Sequence, residues 1–485
     1  MIFNSSLFLV YFLPVFLIIY FLLARKLKNW FILLSGILFY AWGAPVFVFY
    51  VIGSVLIDFF LTGRMKVSST GQRKILFWSS VALNLGLLLY FKYMNFFVDQ
   101  FNVILGWFGS KPAEWTKIAL PVGISFITFQ KLSYVLEVYK KRHEPFRKLQ
   151  DYALYIFMFP QLLSGPIVRV GQIAGQIADR KEQETIDNKL IGFYRFIIGL
   201  AKKVLIADVL AATVNQIFAL NSLQLSSGLA WIGAIGYTFQ IYFDFSGYTD
   251  MAIGLALMMG FKLPENFNFP YLATSITDFW KRWHMTLSFW FRDYIFLPLA
   301  YSASRKLKKE RYAGLRTDKI LYIWSAAITF VLCGFWHGAA WTFILWGAYQ
   351  GIFLIIDRLA FLKISRKIGR IPSIVITFGV ITLGWVLFRS DNLDFAHFYL
   401  RRMFAFTSAP NDVLLNSKFW TMLAIAAIFA FWGGIKKVEG WVDTFYSRPG
   451  NTVLITMSVV AILLLVLSLA AITSSGFSPF IYFRF

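Results

Sequence analysis

The sequence predicts an all-α, polytopic integral membrane protein of about 10–13 helices, re-entrant segments included. Of its 485 residues, 58% are hydrophobic and 15% charged, whereas roughly a quarter of the residues of a typical soluble protein are charged. Long apolar runs cover residues 7–23, 75–91, 324–341 and 453–472. Each approaches the ~20 helical residues that cross a hydrocarbon core, so about a dozen crossings are expected.

The first apolar run is expected to remain in the protein as a membrane helix. Residues 1–6 carry no basic side chain, and the basic residues of 25–28 follow the run directly, which is the reverse of a cleavable signal. By the positive-inside tendency, the N-terminus lies outside and residues 25–28 lie in the cytoplasm. Basic residues within 436–448 precede the last run and place the C-terminus outside as well, so the number of full crossings is even.

Basic clusters mark the predicted cytoplasmic loops, at residues 64–74, 140–148, 180–181, 305–319, 358–370 and 436–437. The net charge of +23 is interpreted as this positive-inside bias together with contacts to membrane lipids. The alternative is that the basic residues surround a cytoplasmic entrance to the protein and attract an anionic donor substrate. Nucleic acid is not an expected partner, because the basic residues sit in short loops. The polar stretches are only loop-sized, so a single membrane-embedded domain, residues 1–485, is predicted.

Two apolar segments that contain proline and glycine, residues 121–129 and 159–166, are the predicted re-entrant segments. A broken backbone at membrane depth is tolerated only where protein or a water-filled cavity surrounds it.

The four histidines differ in their surroundings. His143 and His397 lie in polar sequence and are expected near the surface. His337 lies in a nearly charge-free stretch with Gly334 and Gly338 on either side, and ionisable groups inside a membrane usually face an interior cavity. Either it packs against a neighbouring helix through a hydrogen bond, or it is a general base. His284 lies in a run of aromatic and charged residues, 278–294, which taken alone predicts an interfacial amphipathic helix.

Two carboxylates, Asp244 and Asp250, also lie among apolar residues. Pairing with an arginine and a role beside a histidine or in a proton relay both remain open from the sequence. The chain has no phosphate-binding loop, no dinucleotide-binding turn and no His-Glu-x-x-His helix. The single cysteine, Cys333, excludes an internal disulfide and a cysteine-rich metal site, and no metal is predicted. A buried histidine suits a hydroxyl attack on an acyl thioester, which needs no permanently bound cofactor.

Several motifs together are typical of one family. They are PVGISF at residues 121–126, FPQLLSGPI at 159–167, YFDFSGYTDMAIG at 242–254, ENFN at 265–268, the run 280–294 and WHGA at 336–339. This combination resembles the membrane-bound O-acyltransferases, and within them the bacterial alginate O-acetylation proteins. The resemblance implies a ring of helices around a thin centre, with a tunnel through the bilayer.

The resemblance also implies the site. His337 matches the family's essential histidine and His284 its second characteristic histidine. Support or substrate binding is assigned, through the matching motifs, to Asp244, Trp336, Arg282 and Asn266. The implied donor is cytoplasmic acetyl-CoA, and the implied location is the bacterial inner membrane. The acetyl group would pass to an extracytoplasmic SGNH-type acetyltransferase partner, which modifies a polysaccharide.

Some residues differ from those that are usual in the alginate O-acetylation proteins. These proteins usually continue Arg-Asp-Tyr with Pro-Leu-Gly-Gly, but here Pro298 and Leu299 precede Ala300-Tyr301-Ser302. The residues after His284 are also similar to the D-alanyl transfer protein of teichoic acid synthesis. Alginate, cellulose and peptidoglycan therefore all remain open as the glycan.

The aromatic end of the chain, residues 480–485, also resembles the alginate O-acetylation proteins. Tyr482 is predicted to accept the acyl group transiently or to dock the partner, and an interfacial aromatic anchor is the alternative. For the whole protein, the alternative function is a transporter or flippase of a lipid-linked glycan with a His/Asp proton relay. Inverted repeats would favour that function, but the sequence has no such symmetry. A third possible function is that of a structural scaffold for a polysaccharide export complex.

Overall fold

The computed structural model describes residues 1–312, 314–410, 413, 415–435, 440, 450–475 and 478–481. Secondary structure in these ranges is almost entirely helical. The strands described are Arg311–Tyr312 and Leu315–Arg316, which pair as a small antiparallel hairpin. The predicted all-α class is confirmed.

The chain forms two compact units. The first contains Met1–Phe196 and Met251–Pro264, and the second contains Ile197–Asp250 and Glu265–Phe485. Two helices, Ile186–Ala201 and Ser227–Met258, contribute residues to both. The single domain expected from the sequence remains a prediction.

Seven helices of the described residues are long and apolar enough to cross a membrane. They are Phe47–Val67, Thr70–Trp107, Thr317–His337, Trp341–Ile368, Arg370–Arg389, Ser417–Gly434 and Asn451–Ser474, and the apolar helix Leu7–Leu22 is shorter. A multi-pass membrane protein is thereby confirmed. The total number of crossings and the re-entrant segments remain predictions.

The first unit is built from helices that alternate with short loops. Its α-helices are Leu13–Leu22, Arg25–Gly43, Phe47–Val67, Thr70–Leu88, Met94–Trp107, Ile124–Tyr139, Leu149–Phe157, Phe159–Leu162, Val170–Ala178 and most of Ile186–Ala201, with π-helical turns at Leu7–Phe12 and Leu89–Tyr93 and a 3₁₀ turn at Lys181–Gln183. The four-residue helix Phe159–Leu162 is buried, so this interrupted backbone is surrounded by protein, as a break at membrane depth requires.

The second unit holds the predicted site residues. Its α-helices are Asp208–Phe218, Ser227–Met258, Ile276–Phe279, Met285–Phe291, Leu297–Ser304, Thr317–His337, Trp341–Ile356, Leu362–Ile368, Arg370–Arg389, Leu393–Met403, Ser417–Phe431 and Asn451–Ser475; π-helical turns lie at Lys202–Ala207, Arg292–Phe296 and Asp357–Phe361, and 3₁₀ turns at Pro270–Leu272 and Trp432–Gly434.

Two of these helices, Thr317–His337 and Trp341–Ile356, pack as a close antiparallel pair. At Gly334 and Gly347 a side-chain carbon on either residue would lie 2.9 Å from the Cα of the other. Only glycine allows the two backbones to approach so closely. The apolar run 324–341, expected to be one helix, is divided: the first helix ends at His337 and the second begins at Trp341. His337 therefore stands at a helix end.

Candidate active site

His337 is enclosed by aromatic rings at the C-terminal end of its helix. Its side chain is 5% exposed. Its ring centroid lies 4.9 Å from Trp336, 5.0 Å from Trp346 and 5.3 Å from Phe388, each in an edge-on arrangement. Such edge-to-face contacts fix the plane of the ring and exclude water from its sides.

Gly338, the next residue, makes this enclosure possible. It is extended (φ −164°), and the Phe343 ring lies against its backbone, where any side-chain carbon would collide with that ring. Phe343 in turn contacts Phe388 at 5.1 Å. The motif Trp-His-Gly therefore combines a ring, a candidate base and a place where another ring can cover the backbone.

His284 is fully buried and begins the helix Met285–Phe291. Its backbone is left-handed, with φ of 41°, a conformation that is uncommon for residues with a side chain and often occurs at functional sites. The interfacial amphipathic helix that the run 278–294 predicts on its own is wrong here, because the helix breaks before His284 and the ring points into protein.

The side chain of Asn266 holds His284 in place. Its oxygen lies 3.1 Å from Nδ1 of His284, and it accepts hydrogen bonds from the backbone N–H of Thr286 at 3.2 Å and from the Thr286 hydroxyl at 2.9 Å. A backbone N–H can only donate, so the shared atom must be the amide oxygen. Nδ1 of His284 is then the donor, and in the neutral ring Nε2 carries the lone pair.

Backbone hydrogen bonds tie the same two segments together. The N–H of Met285 donates to the Asn266 carbonyl, and the N–H of Asn268 donates to the Arg282 carbonyl, both at 2.9 Å. The ENFN motif and the histidine segment thus form one unit, which explains why both motifs occur in the same sequence.

Trp336 contacts both histidines. Its ring centroid is 4.9 Å from His337 and 6.4 Å from His284. Phe245 also contacts His284, edge-on at 4.7 Å. The structure therefore brings His284, His337, Trp336 and Asn266 into one aromatic-walled site.

A cavity of about 220 Å³ lies against Phe388, the ring that contacts His337; His337 itself does not line it. It is lined by Tyr237, Gln240, Ala340, Thr342, Phe343, Phe388, Arg389, Ser390, Asp391 and Ile481. Phe388 contacts His337 and also lines the cavity, so a molecule bound there would be one ring away from the candidate base.

Asp244 has other partners. Its carboxylate lies 2.7 Å from Nζ of Lys203 and accepts a hydrogen bond from the backbone N–H of Ile481 at 2.8 Å. Asp250 pairs with Lys202 at 2.6 Å. Each carboxylate thus has a lysine partner, and the amide oxygen of Asn266, not Asp244, accepts the hydrogen bond from Nδ1 of His284.

The remaining predicted residues lie in different places. Arg282 is bound to Asp278 at 2.9 Å, two residues before His284. Tyr482 lies outside the described residues. His397 is exposed, as expected, and His143 is half-buried in its loop.

Sequence reasoning missed Lys203, Trp346 and Phe388. Lys202 and Lys203 interrupt an apolar run, and a lysine in such a run is itself a signal of function. No comparable signal marks Trp346 or Phe388, because their role depends on the packing of three separate helices.

The membrane-spanning helices and the buried pair of histidines define an integral membrane protein with a candidate active site inside the protein. The model of the membrane-bound O-acyltransferase family matches residues 140–386. The probable alginate O-acetylase AlgI of Pseudomonas aeruginosa is 38% identical over 459 residues, which cover 93% of this chain and 84% of that protein.

Two further similar proteins have names that refer to other polymers of the cell envelope. The peptidoglycan O-acetyltransferase of Helicobacter pylori is 36% identical over 440 residues, 83% of this chain and 80% of its own. The teichoic acid D-alanyltransferase of Bacillus subtilis is 35% identical over 295 residues, 57% of this chain and 70% of its own. The chain belongs to the membrane-bound O-acyltransferase family and is an acyltransferase.

Proposed function

We propose that this acyltransferase takes an acetyl group from cytoplasmic acetyl-CoA and passes it across the bacterial inner membrane for O-acetylation of an extracytoplasmic polysaccharide. The observation that carries the proposal is that His337 is buried among aromatic rings, one of which, Phe388, also lines a cavity of about 220 Å³. The names of the relatives, which include O-acetyltransferases of alginate and peptidoglycan, support acetyl as the group.

His337 is the general base. Its ring accepts the proton of an acceptor hydroxyl while the oxygen attacks the thioester carbonyl and forms a C–O bond. Collapse of the tetrahedral intermediate breaks the C–S bond, and the proton passes from His337 to the departing thiolate. General acid–base catalysis of this kind contributes about 10²–10⁴-fold.

His284 positions a reactant through Nε2, the ring nitrogen that remains an acceptor when Asn266 accepts from Nδ1. A hydroxyl that donates to Nε2 would be held next to His284, whose ring, like that of His337, contacts Trp336. Trp336 packs against both histidines, and Arg282 supports the segment that carries His284.

The acceptor side involves a partner. An extracytoplasmic SGNH-type acetyltransferase receives the acetyl group and modifies alginate, cellulose or peptidoglycan. Tyr482 either carries the acetyl group transiently or docks this partner. Its described neighbour Ile481 lines the cavity beside His337, which supports an acceptor-side role for the end of the chain.

The proposal is tested with labelled acetyl-CoA added to inside-out membrane vesicles from cells that produce both the protein and the acetylated glycan, so that the acceptor is present. His337→Ala is expected to abolish the release of free CoA, whereas the matched control His397→Ala, at an exposed histidine, leaves it unchanged. Absence of turnover in the parent protein, or equal turnover in His337→Ala, would overturn the proposal.

A further inference from the structure

A buried charge cluster lies in the second unit, apart from the histidines. Nζ of Lys203 is 2.7 Å from Asp244 and 2.8 Å from Asp208. The side chains of Lys203 and Asp244 are 1% and 3% exposed. Charges removed from water in this way require close partners and satisfied hydrogen bonds.

Residues 478–481, here called the tail segment, complete this cluster. The Pro479 carbonyl accepts a hydrogen bond from Lys203 at 3.1 Å, and the N–H of Ile481 donates to the second oxygen of Asp244 at 2.8 Å. The Phe480 ring covers the Lys203 ammonium at 4.7 Å. Chain ends usually fray unless they are tied down, and this segment is held by three contacts, two with Lys203 and one with Asp244.

Asp244 and the tail segment each supply a group that the other needs. One oxygen of Asp244 takes the lysine and the other takes a backbone N–H, so without the tail segment a buried carboxylate oxygen would lose its donor. Leaving a buried charged group without its hydrogen bond is costly. The cluster therefore favours the tail segment in this position over a free one.

The tail segment also forms part of the cavity beside His337. Ile481 lines that cavity together with Phe343 and Phe388. On the helix Ser227–Met258, Gln240 lines the cavity one turn before Asp244, so the cluster and the cavity share a helix. The position of Ile481, and hence the wall of the cavity, is set by the cluster.

Two polar groups in this cavity point to a ligand. Oε1 of Gln240 and the hydroxyl of Thr342 are buried and have no hydrogen-bond partner among the residues that the structure describes. Buried polar groups nearly always have a partner. A hydroxyl or amide of a bound molecule would supply it.

We propose that Lys203, Asp208 and Asp244 form a charge clamp that positions the tail segment as one wall of the acceptor pocket beside His337, in which Gln240 and Thr342 hydrogen-bond a hydroxyl-bearing acceptor. The proposal rests on the proposed function and deepens it. The clamp residues are positioning residues, because they act through Pro479, Phe480 and Ile481.

The first test measures position without activity. In a Cys333→Ala background, Ile481→Cys and Asp391→Cys place one thiol on the tail segment and one on another wall of the same cavity. A short bis-maleimide should cross-link them in the parent protein. Lys203→Met is expected to reduce the cross-link to background. The matched control is Lys202→Met at the neighbouring lysine, which pairs with Asp250, and it should retain the cross-link.

A variant in which the whole cluster is neutral distinguishes loss of the clamp from misfolding. Lys203→Met alone leaves two buried carboxylates without their cation, so the triple variant Lys203→Met, Asp208→Asn, Asp244→Asn removes all three charges together. It is expected to fold, as judged by its thermal transition in detergent, and to lose the cross-link. A cross-link of parental yield in a folded triple variant would overturn the clamp.

The second test asks whether acetyl transfer depends on the position of the tail segment. Acetyl transfer in the folded triple variant should fall about 10²-fold, as expected when a reacting pocket loses its geometry, whereas Lys203→Arg, which keeps a cation between the two carboxylates, should retain both the cross-link and transfer. Parental rates of transfer in a folded triple variant that has lost the cross-link would overturn the positioning role. A parent protein without acetyl-CoA turnover would instead overturn the proposed function, while the cross-linking result would still decide the clamp.

Discussion

Nδ1 of His284 donates a hydrogen bond to the side-chain oxygen of Asn266, 3.1 Å away, and the same oxygen accepts from both donors of Thr286. The amide cannot rotate by 180° without placing its NH₂ group against a backbone N–H. One asparagine thereby fixes the orientation of the ring and the nitrogen that carries the proton.

Removing this oxygen should impair the enzyme. In Asn266→Ala, the donors on His284 and Thr286 lose their shared acceptor, so the ring can rotate and its tautomer is no longer fixed. We expect kcat/KM for CoA release to fall about 10²-fold. Asn268→Ala is the matched control, because Asn268 lies two residues away and is exposed. Equal rates for the two variants would show that the hydrogen bond does not matter.

The glycine contact between helices Thr317–His337 and Trp341–Ile356 should be equally sensitive. In Gly347→Ala the new methyl group collides with the Phe330 carbonyl oxygen and approaches the Gly334 Cα at 2.9 Å. The helices must separate, which displaces His337 and lowers both activity and the melting temperature. In Gly379→Ala nothing lies within 4 Å of the added methyl, so this control should behave like the parent. A fully active Gly347→Ala protein would contradict the packing.

A buried ion pair in the first unit gives a stability prediction. Nζ of Lys131 lies 3.1 Å from Asp58, both side chains are almost fully buried, and Asn84 donates to the same carboxylate at 2.8 Å. Lys131→Met should cost about 3–5 kcal/mol of unfolding free energy, because it leaves a buried charge without its partner. Lys131→Met with Asp58→Asn should recover much of that loss.

The matched control for this pair is exposed. Lys66 and Glu144 lie 2.6 Å apart with side chains 52% and 75% exposed, and Lys66→Met should change the free energy of unfolding little, because water screens an exposed ion pair. Denaturant unfolding in detergent micelles measures all three variants. A loss of equal size at both lysines would show that burial does not determine the energy.

The two roles proposed for Tyr482 make different predictions. If its hydroxyl carries the acetyl group, Tyr482→Phe removes the oxygen that attacks the thioester and abolishes both CoA release and glycan acetylation. If the ring only docks the partner, Tyr482→Phe retains acetylation and Tyr482→Ala loses it. Tyr301→Phe, at a tyrosine that is 64% exposed, is the control. Full glycan acetylation by Tyr482→Phe would rule out the shuttle.

The sequence predicted those features that depend only on neighbouring residues of the chain. Long apolar runs must be helical in lipid, so the all-α membrane class followed from composition and run length. Motifs of a few residues, such as Trp336-His337-Gly338, were sufficient to indicate the family and its candidate base. The same local reasoning failed for His284, because burial of a mixed aromatic and charged run depends on what packs against it.

Tertiary structure alone decided which groups meet. Asp244 could not be assigned from spacing, since its partners are Lys203, 41 residues earlier, and Ile481, 237 residues later. The hydrogen bond between Asn266 and His284 joins two loops 18 residues apart. Hydrophobic patterns specify where helices form, but they do not specify which buried polar group satisfies another, because that depends on the packing of whole helices and the low dielectric around them.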